Sequence, residues 1–268
     1  MTTSDGPADC GQPSRPGDSV PPQVADGCAQ PVSARLAVAC GAIFLLTIGI
    51  VVGVWAAALR LGGREDAAVL AAVAAGIAWT VLAGPVLAAG ASGRLAGLFA
   101  AGMAADGTGG ALLVLAGLSP MMSLADAVRI YLVVLAVMLA CWSVVALAKG
   151  PINRQRLGVA SALAGMLVLG CPFWIGGLLA SLGSPAAGQV AAAAVAANPF
   201  YAAGAVLNDQ THFVWHLAPR MYELTRLGTD VAVAPARWAH TMLLYLAIAA
   251  LLSGLTWLRG RCRSQRTA

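Results

Sequence analysis

The sequence predicts an all-α integral membrane protein, a bundle of about six transmembrane helices with a re-entrant or interfacial segment before the last span. Three observations carry this prediction. Of 268 residues, 59% are hydrophobic and only 10% charged, where a soluble domain carries about a quarter charged residues. The apolar residues gather in charge-poor stretches of about 20, the length that crosses the hydrocarbon core as a helix. The arginines fall between those stretches and favour one side, as the basic residues of cytoplasmic loops do.

Residues 1–34 are rich in Pro, Gly, Ser and Asp and hold no apolar core of the kind a secretory leader has. Such a segment buries too little apolar surface to offset its ordering entropy, so a disordered cytoplasmic tail is expected. The transmembrane domain, 35–258, opens with "LAVACGAIFLLTIGIVVGVWAAAL", residues 36–59, uninterrupted by charge between Arg35 and Arg60. Gly49 and Gly53 form a GxxxG there, and Gly93 and Gly97 form another at the start of the third span. Small residues at that spacing let helices approach closely.

The second span is expected over 67–91, with Gly84 and Pro85 as a kink. The third, 95–118, carries "DGTGG" from Asp106 to Gly110. A loop at that point would leave residues 95–105 too short to cross. The segment therefore makes sense as one span with Asp106 near its middle, or as a broken helix. An ionised carboxylate at that depth costs several kcal/mol on insertion scales, so Asp106 should face the interior, a partner or water. Two readings stand: Asp106 and Thr108 belong to a transport path, or the acid closes a local kink and packs beside a neighbouring helix.

The fourth span is expected over 130–148 and the fifth over 157–182, the latter interrupted at Cys171 and Pro172. Residues 183–237 then form an external segment in which 186–207 is apolar but alanine-rich and interrupted by Asn198 and Pro199, and so re-entrant or interfacial. Its aromatic residues suit headgroup depth. Within it His212 and His216 stand four apart in "THFVWH" and would share a helix face, with His240 or Glu223 as a third ligand for a metal or haem iron. The alternative leaves them solvated, and no cofactor is expected. The last span, 238–258, precedes a basic cytoplasmic tail, 259–268.

Under six spans, Arg15, Arg35, Arg94, Lys149, Arg154, Arg156, Arg259, Arg261, Arg263 and Arg266 share one side, which places both termini in the cytoplasm. The net charge of +5 suits anionic lipid headgroups and requires no nucleic acid. The six cysteines show no CxxC pair, so neither a zinc site nor a disulfide framework is expected. Fifteen arginines against one lysine, with abundant alanine, fit a GC-rich bacterial coding bias and hence a bacterial cytoplasmic membrane. No nucleotide-binding or catalytic motif stands in a supporting context.

Six spans with both termini inside, a re-entrant-like segment before the last span, and "NPFYAAGAV" with Asn198, Pro199 and Tyr201 resemble the permease subunits of ABC-2-type ABC transporters. The resemblance implies half of a translocation path, pairing into a homo- or heterodimer, and a separate cytoplasmic ATPase. Asn198, Pro199, Tyr201 and Glu223 become external-segment candidates. The family's coupling loop between the second and third spans is here reduced to "GASGR", so Arg154 and Arg156 in "KGPINRQR", with Arg35, become the partner-contact candidates. A haem- or metal-binding membrane enzyme or electron carrier and a non-transporting scaffold are the competing functions.

Overall fold

The computed structural model describes residues 32–182, 184–211 and 237–264. These form nine helices, with no strand among the described residues: α1 (Val32–Arg60), α2 (Glu65–Gly90), α3 (Arg94–Leu118), α4 (Leu124–Ala146), α5 (Pro151–Leu169), α6 (Cys171–Ala180), α7 (Ser184–Ala197), α8 (Pro199–Thr211) and α9 (Trp238–Ser264). In hydrocarbon every backbone N–H and C=O must bond within its own segment, and long apolar sequences meet that demand as helices. Helices α1, α2, α3, α4 and α9 are each long and apolar enough to cross a membrane. The chain is an all-α polytopic membrane protein.

The turns follow local chemistry. Gly62 and Gly150 adopt φ +77° and +83°, a region that side chains avoid, and reverse the chain after α1 and after α4. Helix α4 begins six residues before the expected 130. A capping box starts it: Asp126 N–H donates to Ser123 Oγ at 3.2 Å and Ser123 N–H to Asp126 Oδ2 at 3.1 Å, satisfying two otherwise orphaned donors.

Helix α3 sits among α1, α2 and α4, and its small residues let all three approach. A Cβ on Gly97 would stand 2.7 Å from the Ala88 carbonyl oxygen, and one on Gly107 would stand 2.9 Å from that of Phe44. The Gly49–Gly53 pair is different: both residues are exposed, and nothing lies within 4 Å of an added Cβ at either.

The stretch 157–182, expected as one crossing, is divided. Helices α5 and α6 meet at Gly170 with a bend of 70°, and α7 and α8 meet at Asn198 with a bend of 75°. Gly158 packs against Pro85 and Ala89, and Gly165 against Val81, so α5 runs antiparallel to α2. The α5–α6 break therefore falls about 7.5 Å past Val81 at 1.5 Å per residue, level with Gly76 in the middle of α2. It is a break at half-depth.

The direction of α9 follows from two contacts. Ser253 Oγ lies 3.3 Å from Ser143 Oγ, three residues from the end of α4, while Trp238 and Tyr245 pack on the same core as α4. Only a helix parallel to α4 meets both conditions. The described part of the chain thus ends at the end of the bundle where α1 begins, which requires an even number of passages. Five long helices and one passage supplied by the two bent pairs between them satisfy it.

Candidate functional site

Two polar clusters occupy the middle of the bundle. The first surrounds "DGTGG", which the structure resolves as unbroken helix. Four consecutive residues face three neighbours. Gly107 meets Phe44 and Thr47 of α1, and Thr108 enters α2, its Oγ1 2.9 Å from Thr80 Oγ1 and 3.3 Å from the Gly76 carbonyl. Gly109 underlies the Tyr131 ring of α4, and Gly110 meets Phe44 and Ile48. Thr47, Thr80 and Thr108 are buried, and Trp79 Nε1 donates to Thr47 Oγ1 at 2.9 Å, tying α2 to α1. The glycines serve close packing, not a break.

Asp106 is the central residue of α3 and is half-buried. Tyr131 Oη donates to its Oδ1 at 2.7 Å. A Cβ on Gly109 would stand 2.6 Å from that ring, so the missing side chain is what lets the tyrosine lie across α3 and reach the acid. Asp106 faces neither the interior nor a cation of the described residues. Its position shares the outward stripe of α3 with Leu95, Phe99 and Leu113, which are exposed.

The second cluster joins the two breaks. In a continuous helix the Val168 carbonyl would accept from residue 172, but Pro172 has no N–H. The Leu169 carbonyl would accept from Phe173, whose N–H goes to Gly170 at 2.9 Å instead. Asn198 Nδ2 donates to both stranded carbonyls, at 3.0 and 3.2 Å, and stands 3.5 Å from Cys171 Sγ. Its Oδ1 accepts from Phe200 N–H at 2.9 Å, capping α8 as an N-cap asparagine does. The carbonyls of Ala196 and Ala197 at the end of α7 accept from Thr241 Oγ1 at 2.8 Å and Tyr245 Oη at 2.7 Å, both on α9. Each broken helix is completed by side chains from outside itself.

These positions amend one expectation. Asn198 and Tyr201, expected on an external segment with Pro199, have no exposed surface. They stand against the α5–α6 break because its part-buried carbonyls need a donor there, a demand that outweighs the interfacial preference of an aromatic-bearing turn. Glu223, His212 and His216 fall outside the described residues. His240 is exposed in the first turn of α9, and no group of three metal-ligating side chains gathers among the described residues.

At the end of the bundle where α1 begins, Arg154 folds back, its Nη1 3.5 Å from the Ala91 carbonyl, and so brings the α4–α5 turn against the α2–α3 turn. Arg156 is exposed. Arg35 lies near the start of α1, and its side chain is outside the described set. The opposite end carries acids: Ser119 Oγ donates to Glu65 Oε1 at 2.7 Å, and fully buried Asp126 has Arg129 Nη1 at 3.5 Å. Sequence reasoning missed Tyr131, Thr80, Thr241 and Tyr245, whose roles depend on partners 25 to 48 residues away.

Fold and site together define a polytopic membrane protein with an interlocked pair of broken helices. Comparison with protein-family models, curated proteins and solved structures gives no match to this chain.

Proposed function

We propose that the chain is the membrane-spanning permease subunit of a transporter driven by a separate cytoplasmic ATPase, in a bacterial cytoplasmic membrane with both ends of the chain in the cytoplasm. The observation that supports it is the interlock of two broken helices at half-depth through Asn198, Thr241 and Tyr245. Transporters build their paths around such breaks, where irregular backbone lines the site of passage. Thr108, sealed between α2 and α3, is a packing residue on this reading. Asp106, the transport-path candidate of the sequence, stands on the outward stripe of α3 away from the interlock, and the path on this reading follows the breaks.

The coupling surface is the joined pair of turns that carry Arg94, Lys149, Arg154 and Arg156. Their basic character favours the cytoplasmic side. Purification of the tagged protein from its native membrane in mild detergent, with mass spectrometry of what accompanies it, tests the reading. A stoichiometric ATPase, lost from Arg156→Glu at unchanged abundance, is the expected result. Absence of any ATPase after crosslinking, or a haem absorbance band in the sample, overturns it.

A further inference from the structure

Among the described residues Asp106 is the one acid at the middle of a long helix. It occupies a stripe of α3 at helical spacing, Leu95, Phe99, Gly102, Asp106, Leu113 and Gly117, whose leucines and phenylalanine are exposed, while Gly110 beside it is covered by Phe44 and Ile48 of α1. Its hydrogen bond among the described residues is the one from Tyr131 Oη, while the ion pairs formed there, Arg64–Asp66 and Arg129–Asp126, lie at the end of the bundle. A carboxylate has room for about four donors. At the centre of a membrane, with a side chain too short to reach either interface, such a group calls for a cation or further donors.

The surroundings hold the acid in place and leave its outer side open. The Tyr131 ring over Gly109 fixes the carboxylate on one side. Gly102, one turn away on the same stripe, has nothing within 4 Å of an added Cβ, and neither has Gly117. A neighbouring helix can therefore come close to the α3 backbone next to Asp106.

We propose that this stripe is the docking site for a transmembrane helix of a different membrane protein, one that carries a lysine or arginine at mid-depth to pair with Asp106. The choice of occupant follows from charge. In the described helices lysine and arginine stand only toward the helix ends, Arg129 in the second turn of α4 among them, and none lies at mid-depth, so a second copy would set carboxylate against carboxylate. A guanidinium or ammonium on another protein supplies both the charge and the missing donors. The docking rests on Asp106 and not on the presence of an ATPase.

The test uses the full chain in native membranes with a photo-crosslinking amino acid at Phe99 or at Leu113, two turns on either side of the acid. The expected product is one membrane protein, crosslinked through a span that contains Lys or Arg. Asp106→Asn lowers the yield about tenfold, and exchanging the charges, Asp106→Arg here with the partner's basic residue changed to Asp, restores it. Gly102→Leu, whose Cβ has nothing within 4 Å in this chain, lowers the yield to a similar degree by blocking the approach, so the test survives a folding defect at Asp106. Crosslinking to a second copy or to lipid alone, a partner span without a basic residue, or yield unchanged in both Asp106→Asn and Gly102→Leu each overturns the docking. So does quantitative reaction of Asp106 with a hydrophobic carbodiimide in intact membranes, which would mark a neutral, lipid-facing acid. Loss of an ATPase from Arg156→Glu with crosslinking intact would separate this contact from the coupling surface.

Discussion

Asn198 Nδ2 lies 3.0 Å from the Val168 carbonyl oxygen, the acceptor that Pro172 strands. One side chain thus closes the break between α5 and α6 while its Oδ1 caps the helix that starts at Pro199. An amide donates through its nitrogen and accepts through its oxygen in one fixed plane. That is why the position suits asparagine.

Asn198→Ala should lower stability by about 2 kcal/mol, since it removes the donor to two part-buried carbonyls and the acceptor of the Phe200 N–H. Asn198→Asp should be no better than alanine, because its oxygens can cap Phe200 but an ionised carboxylate donates to neither carbonyl. Unfolding in mixed micelles measures both. Asp behaving like the native residue would show that the Val168 and Leu169 bonds contribute nothing.

The glycines divide into two classes that mutation should separate. Gly109→Ala puts a Cβ 2.6 Å from the Tyr131 ring and must displace it, an overpacking cost of about 1–3 kcal/mol. Gly49→Ala and Gly53→Ala meet nothing within 4 Å and gain helix propensity, so each should be neutral or stabilising. The same unfolding measurement on the three variants checks the contrast. A loss at Gly49 or Gly53 equal to that at Gly109 would mean that α1 packs against another chain.

How much of this was legible beforehand depends on the range of the interaction. Hydrophobic runs alone mark the long helices, because chain length and lack of charge decide a crossing. The start of α4 is legible too: "SLAD" at Ser123 to Asp126 is a capping box in sequence, and it moves the helix start from the 130 that charge alone suggests to 124. The role of "DGTGG" was not. A glycine reads equally as a break or as a close contact until the neighbour is known, and here the neighbours are Phe44, Thr47 and Tyr131 on other helices. The partners of Asn198 lie 29 and 30 residues away, beyond any local pattern.

Thr241 and Tyr245 stand one turn apart on α9 and take the carbonyls of Ala196 and Ala197. Thr241→Val and Tyr245→Phe should each cost about 0.6–2 kcal/mol, the range for hydrogen bonds between membrane helices. The pair should be coupled, since both hold the end of α7 against the same helix. A double-mutant cycle with strictly additive losses would show that each bond acts alone.

The orientation gives the last prediction. Leu61, in the turn after α1, is 88% exposed, and Ile152, in the first turn of α5, is 65% exposed at the opposite end of the bundle. With both ends of the chain in the cytoplasm, Leu61→Cys and a cysteine placed near Glu223 react with an impermeant maleimide in intact cells. Ile152→Cys and the native Cys262 react only after the membrane is opened. The even number of passages ties Ile152 and Cys262 to the same side, because α9 runs parallel to α4 and ends where α5 begins. Protection of Leu61→Cys with labelling of Ile152→Cys would invert the orientation and leave the fold intact. Labelling of Ile152→Cys and Cys262 from opposite sides would contradict the parallel packing of α4 and α9, and with it the single passage supplied by the two broken helices.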